Sequence, residues 1–260
     1  MKAILTTGLL FGLLSAFATA APIGYVLDGD SSIAHRVDLA NGAATSFSTF
    51  SLAYPIAIVD NSLRVGQRDA GNGYEYGLNG TLLSGPYAGG GGFSQLLDGT
   101  TNGINNFGVE CCGGTNSVTT GDLYWQGQTV LFNLPQSGSG IAYDSALGTL
   151  WVALFDGTVH QYTMGGVDLG SFNSGFTSRG LAYDAGSDTL WGLSGSTFTQ
   201  WDKQGNVLGT VASQVEFSNP WGLEIDNGVT STAAIPEPGT VLLLGSALAL
   251  LGLARKSRAI

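Results

Sequence analysis

Charge is scarce in this chain, and positive charge is scarcest. Of its 260 residues 11% are Asp, Glu, Lys or Arg, with 9 Lys and Arg against 19 Asp and Glu and a formal net charge of −10. Between residues 21 and 235 the imbalance steepens to 5 against 18. A surface so poor in cations repels phosphate backbones and anionic lipid, which need basic groups to neutralise them, and nucleic acid is excluded as a partner. Histidine and cysteine number two each. Cys111 and Cys112 are adjacent and no histidine is near them, so the C-x-x-C spacing of a redox centre and the spread ligands of a zinc site are both missing. In an oxidising compartment such a pair forms a vicinal disulfide, stays as two thiols or bridges two molecules. The nucleophile elbow, the phosphate-binding loop and the H-E-x-x-H metalloprotease motif are absent as well.

Long apolar runs are confined to the two ends. At the N-terminus Lys2 supplies a positive charge, Ile4 to Leu14 an apolar stretch, and Ala18-Thr19-Ala20 a small-residue cleavage motif. These are the parts of a secretory signal, and cleavage is expected after Ala20. At the C-terminus Thr240 to Ala254 is uncharged and rich in Leu, Ala and Gly, and Arg255, Lys256 and Arg258 follow it. That order directs a helix into a membrane with its basic flank inside. Fifteen residues at a rise of 1.5 Å reach only about 22 Å, short of the ~30 Å hydrocarbon core, which suits a transient anchor better than a permanent one. The expected division is therefore a signal peptide at 1–20, a folded domain at 21–230 and a tail at 235–260.

The tail opens with Pro236-Glu237-Pro238, and the sequence of Pro-Glu-Pro, apolar helix and basic end resembles the PEP-CTERM sorting signal of Gram-negative bacteria. The resemblance implies export through the Sec translocon, a membrane-anchored intermediate, and recognition by an exosortase-type transpeptidase that delivers its substrates to the cell surface or an exopolysaccharide matrix. The motif suits such a reader. Two prolines hold the backbone around Glu237 extended and withhold their own N–H donors.

What the middle has in plenty is glycine, 41 residues in the whole chain, arranged in repeats. "GIAYDSALGTLWVALFDGTVHQY" from Gly140 and "GLAYDAGSDTLWGLSGSTFTQW" from Gly180 lie 40 residues apart. Short β-branched and aromatic stretches between Gly, Asp and Asn turns, at a period near 40, are the mark of a β-propeller blade. Weaker copies run from Ile56 to Gly85 and from Phe107 to Leu134, where "FGVECC" is read as the opening strand. "WGLEID" near the C-terminus has only an opening strand, and the stretch from Gly24 lacks one. Joined, they complete a fifth blade, so the expected fold is an all-β propeller of five blades closed by its two ends, with six as the nearest alternative count. Residues 86–106 fit this register least well. The phrase G-[IL]-A-[YV]-D followed by L-W-V resembles the YVTN, NHL and SMP-30-like propellers, a group that implies the fold and spans lactonases, binding scaffolds and structural proteins.

Candidate chemistry is sparse. Asp60, Asp144, Asp184 and Asp226 recur at the end of the first strand of their blades, where an Asp accepts turn N–H groups; the alternative is a carboxylate ring holding calcium at a channel mouth. "LDGDSS", containing Asp28 and Asp30, has some calcium-loop character without the spacing of an EF-hand. His35 and His160 share a repeat position, which points to a strand-surface role. Trp151, Trp191 and Trp201, with Tyr143, Tyr162 and Tyr183, are expected to pack between blades, while Trp125 and Trp221 are candidates for stacking on sugar. Glu110 and Glu224 are read at the third position of the first strand, where other blades carry Ile58, Ala142 and Ala182, and so are the candidates to face the channel. The expected function is an exported, non-enzymatic binding or structural protein of the cell surface or matrix, partnered by exopolysaccharide or surface proteins and working without a cofactor. The alternative is a metal-dependent hydrolase or lactonase using Glu110 or Glu224.

Overall fold

The computed structural model describes residues 21–68, 71–87, 95–112 and 115–231. The signal-like segment with Ala18 and Ala20, and the tail with Pro236, Glu237, Pro238, Arg255, Lys256 and Arg258, lie outside the described residues. No helix among the described residues is long and apolar enough to cross a membrane.

Five antiparallel sheets of four strands each surround one axis. Blade 1 takes β1 (Ile23–Asp28), β2 (Ile33–Asp38) and β3 (Ala44–Ser48) from the N-terminal side. Blade 2 comprises β4 (Ala53–Val59), β5 (Ser62–Gln67), β6 (Gly73–Gly77) and β7 (Leu82–Tyr87). In blade 3 the strands are β8 (Leu96–Thr101), β9 (Asn106–Glu110), β10 (Ser117–Gly121) and β11 (Thr129–Asn133). Blade 4 holds β12 (Gly138–Asp144), β13 (Thr149–Leu154), β14 (Thr158–Tyr162) and β15 (Asp168–Asn173). Blade 5 holds β16 (Leu181–Asp184), β17 (Thr189–Ser194), β18 (Thr197–Trp201) and β19 (Val207–Ala212). The last strand, β20 (Trp221–Ile225), returns to blade 1 and pairs with β1, Gly24 opposite Ile225 and Val26 opposite Leu223. The blade count is five, and joining the two chain ends removes a pair of sheet edges that would otherwise seek partners.

Burial falls from the axis outward. All seven residues of β4 are buried, whereas β15 is exposed at five of its six positions. The first two strands of a blade lie between two neighbouring blades and are buried on both faces, which is why "TLWVAL" in the second strand β13 shows no alternation. The core is accordingly five clusters, one per seam between blades. Ala142, Trp151 and Val159 of blade 4 meet Leu181, Tyr183 and Trp201 of blade 5. Val26 and Val37 of blade 1 meet Trp191, Leu193 and Phe198 of blade 5. The thinnest seam joins blades 2 and 3 through Ala57, Leu96 and Trp125.

The glycines that open the repeat phrase have a steric cause. A Cβ on Gly140 would lie 3.0 Å from backbone atoms of Gly180 and Leu181, and one on Gly180 would lie 2.8 Å from Leu223. Inner strands of successive blades come this close around the axis, and no other residue allows it.

Blade 3 departs from the sequence expectation. Its inner strand is "LLDGTT" of β8, and "FGVE" forms β9, one position further out in the sheet. "FGVE" imitates an opening strand because second strands are buried on both faces too. The true opening strand carries Asp98 among apolar residues and lacks the G-[IL]-A phrase.

Candidate functional site

The inner strands β4, β8, β12, β16 and β20 run in one direction, so the axis has two unlike ends. The upper mouth is bounded by residues at their starts, such as Tyr54, Leu97 and Trp221, and the lower mouth by residues at their ends, such as Ile58, Thr101, Tyr143 and Ile225.

Asp98 closes the axis between the mouths. Each inner strand turns one edge to the axis, where its N–H groups have no further strand to pair with. Asp98 supplies the acceptors. One carboxylate oxygen takes the N–H of Gly99 at 2.8 Å and of Leu223 at 3.0 Å; the other takes Ile141 at 2.8 Å and Leu181 at 2.9 Å. Ile141, Leu181 and Leu223 each follow the repeat glycine of their blade, so one side chain ties blade 3 to blades 4, 5 and 1. Asp98 has no solvent exposure, and burial pushes its carboxyl up to about 8 against the downward pull of the four N–H groups.

The upper mouth holds a cavity of about 270 Å³. Half-buried Trp221 stands among aromatic neighbours, with ring centroids 6.4 Å from Tyr54 and 6.1 Å from Phe155. Arg68 lies 4.7 Å over the Tyr54 ring and Arg179 lies 4.8 Å over Trp221. Asp30 accepts the Tyr54 hydroxyl at 2.5 Å and the Asn219 amide at 2.7 Å, and these two bonds hold its carboxyl below the usual carboxylate range. Asn219 accepts in turn from the Arg179 guanidinium at 2.5 Å. The loops carrying these groups are fastened by backbone bonds. Arg68 N–H binds Leu52 O, its own carbonyl takes Gln95 N–H, and the Arg179 carbonyl takes Gly222 N–H. Ser218 and Asn219 donate their N–H groups to Asp28 at 2.7 and 2.9 Å, so the acidic "LDGDSS" stretch serves as a clamp for this mouth. Cys111 and Cys112 are joined in a disulfide on the cavity wall.

The lower mouth is smaller and acidic. Its cavity of about 80 Å³ has Glu224 at the inner end, flanked by Thr100, Thr101, Tyr143 and Ile58. The Glu224 residue is 5% exposed; Oε1 accepts Ile225 N–H at 3.1 Å, and Oε2 has no hydrogen-bond partner. Burial first, then Asp98 and Asp226, raise its carboxyl well above the usual range, while the Thr100 hydroxyl and Ile225 N–H work against the rise.

Glu224 therefore faces the channel, but Glu110 does not. Glu110 belongs to β9, and its Oε2 is taken by the hydroxyls of Thr115 and Ser117, both at 2.8 Å. Its assignment to the channel is corrected with the register of blade 3. Three of the recurring aspartates accept turn N–H groups, Asp144 from Ala146 and Leu147, Asp184 from Gly186 and Asp226 from Gly228, whereas Asp60 accepts the N–H of the distant Ser231. Asp144 also accepts from Trp151 Nε1 at 3.3 Å and pairs with Lys203. Among the described residues no three His, Cys, Asp or Glu side chains converge into a group that could hold a metal ion. His35 bonds Ser46 and packs its ring on Phe217, and His160 bonds Asp168, both on third strands of their sheets. Trp125 is corrected from a sugar platform to a seam residue: it is 2% exposed, and its Nε1 donates to Arg64 O at 3.1 Å. Sequence reasoning missed Asp98, Tyr54, Arg68, Phe155 and Arg179. Only Asp98 left a signal, an acid inside the apolar run "LLDG".

No protein-family profile matches the chain, and no curated protein sequence is significantly similar to it. Among solved structures it is similar to a chain of a nidogen/laminin complex, with a TM-score of 0.54 and 10% identity over 78% of this chain and 84% of that one. This chain folds as a five-bladed β-propeller. Two more solved structures align with lower scores. A protein of unknown function from Bacteroides caccae has a TM-score of 0.47 and 12% identity, covering 74% of this chain and 73% of that one. A gluconolactonase from Xanthomonas campestris has 0.48 and 15%, covering 77% and 79%. At such identities the likeness is one of fold.

Proposed function

We propose that this propeller is an exported binding module that holds exopolysaccharide at its upper mouth, sent out by its N-terminal signal and sorted by its PEP-CTERM-like tail. The observation that carries the reading is the upper cavity itself. Its volume is near the ~300 Å³ at which small-molecule sites begin, and it combines aromatic rings with a few converging polar groups. The C–H face of a sugar ring suits Trp221 and Tyr54, and its hydroxyls suit the guanidinium groups of Arg68 and Arg179 and the amide of Asn219. In a chain of net charge −10, two arginines at one mouth favour an acidic sugar over a neutral one.

Calorimetric titration of the secreted protein with oligosaccharides from the host's own matrix tests this. Trp221→Ala is expected to weaken binding at least about tenfold, the size of a central aromatic contact. Equal affinity in the variant would remove the upper mouth from the reading. The sorting part has its own test, the mass of the C-terminal peptide in surface and medium fractions. Loss of the segment after Pro238 supports processing by an exosortase-type transpeptidase; retention through Ile260 makes the tail a plain anchor. The alternative, a metal-dependent hydrolase, retains Glu224 of its two carboxylates, and turnover abolished in Glu224→Gln would revive it.

A further inference from the structure

The lower mouth holds an unused binding group. Glu224 Oε2 is buried and completes no hydrogen bond, the nearby Thr100 hydroxyl failing to close one, and Glu224 lines a cavity of about 80 Å³. A buried acceptor left unpaired is costly, and native structures rarely keep one without a use. We propose that this pocket binds a primary alkylammonium group, from a free amine or a lysine side chain, with Glu224 releasing its carboxyl proton to solvent as the cation enters and so becoming its counter-charge.

Three observations select that chemistry. The first is sign: the strands around the lower mouth end in Asp60, Asp144, Asp184 and Asp226, and one of these, Asp144, is already paired with Lys203. The remaining field draws cations inward. The second is valence. Oε1 is occupied by Ile225 N–H, so only one carboxylate oxygen is open, and a guanidinium fork that needs two is poorly matched. An ammonium is a point charge with three donors. Oε2 takes one, and the Thr100 hydroxyl oxygen, which accepts Tyr143 N–H at 3.1 Å, stands beside it. The third is shape. Ile58, Ile225 and Val229 form apolar walls below the rim, suited to the methylene stem behind the charge. Calcium is a poor fit because the pocket offers a single carboxylate and no converging set of acidic ligands among the described residues.

The test is calorimetry of the secreted protein with n-butylamine, n-butylguanidine and an N-acetyl-lysine methylamide, repeated on Glu224→Gln and on Val229→Trp. The second variant fills the pocket and leaves the carboxyl intact. The expected result is saturable binding of the amines, at least tenfold weaker binding of the guanidine, and loss in both variants. Tighter binding of the lysine analogue than of butylamine assigns the site to lysine chains, and the reverse order assigns it to free amines. Absence of binding at millimolar amine, or affinity unchanged in both variants, overturns the proposal. Thermal melts of the two variants, matched to the parent, separate loss of the site from loss of the fold.

Discussion

The two mouths are built from opposite ends of the same five strands, yet they carry unlike chemistry, with basic and acidic side chains together at the upper mouth and a carboxyl without a lining cation at the lower. The upper mouth sets Arg68 and Arg179 against the rings of Tyr54 and Trp221. At the lower mouth Glu224 stands within a rim of turn aspartates. The difference follows from what each end must do for the fold. At the lower end the inner strands of blades 2 to 5 turn tightly into the second strand of their own blade, and in blades 4 and 5 an Asp, in blade 3 Asn102, accepts the turn N–H groups. At the upper end the chain crosses from blade to blade by connections of varied length, so each blade contributes something of its own. Repetition at one end and individuality at the other place specificity where the loops differ.

Asp98 is what keeps the mouths apart, and removing it gives the largest expected effect. Asp98→Ala leaves the N–H groups of Ile141, Leu181 and Leu223 unpaired on the axis and should cost about 1–3 kcal/mol of unfolding free energy for each buried donor left unsatisfied. Denaturant titration measures it. Asp98→Asn keeps one acceptor oxygen and sets an amide against two donors, so its cost should approach that of the alanine. A variant as stable as the parent would mean that the blades do not depend on this tie.

Next in size is the independence of the two sites. Trp221→Ala should lower oligosaccharide affinity by about 1.4 kcal/mol or more, a factor of ten, and leave alkylamine affinity unchanged. A parallel loss at both mouths would show that they communicate along the axis.

The pH dependence sharpens the same contrast. Both axial carboxyls, Asp98 and Glu224, have folded pKa values above their unfolded ones, Asp98 at about 8. A raised carboxyl pKa means that the folded chain keeps a proton which the unfolded chain releases. That contribution is complete below about pH 4 and is lost as pH rises towards the folded values. Glu224→Gln should therefore flatten the decline in unfolding free energy as pH rises above about 4, by no more than about 1.4 kcal/mol for each unit of the shift removed. His35, whose pKa burial lowers, acts in the opposite sense below about 6.5 and is unchanged by the substitution.

Smallest is the effect of reducing the Cys111–Cys112 bridge. It joins neighbours and closes almost no chain, so the unfolded state gains little freedom when it opens. The melting temperature should move by only a few degrees, while sugar affinity falls because the bridge lines the upper cavity.

The sequence disclosed the fold unevenly, for reasons that particular residues explain. Blades 4 and 5 were legible because Gly140 and Gly180, Asp144 and Asp184, and Trp151 and Trp191 answer the same steric and turn requirements twice. The closure through β20 was legible because an opening strand without a blade and a blade without an opening strand stand at opposite ends of the chain. Blade 3 was misread because Asp98 serves four of the five blades from one position and so has no repeat copy. Glu224 was found as a break in an apolar pattern. The upper mouth was hidden because Tyr54, Arg68, Phe155, Arg179 and Trp221 occupy unrelated repeat positions and meet only in three dimensions.

The pairing of β20 with β1 also decides how the molecule carries a load. Gly24 stands opposite Ile225, so β1 begins and β20 ends side by side at the lower end of one blade, before residues 226–231 cross to Tyr183 and Asp60. Tension applied between those ends would part the ladder rung by rung, like a zip drawn from its open end. Tension between a ligand gripped at the upper mouth and a tether leaving beyond Ile225 would instead run lengthwise along β20, with its bonds to β1 strained together. A propeller closed in this way yields easily to being peeled and resists being towed.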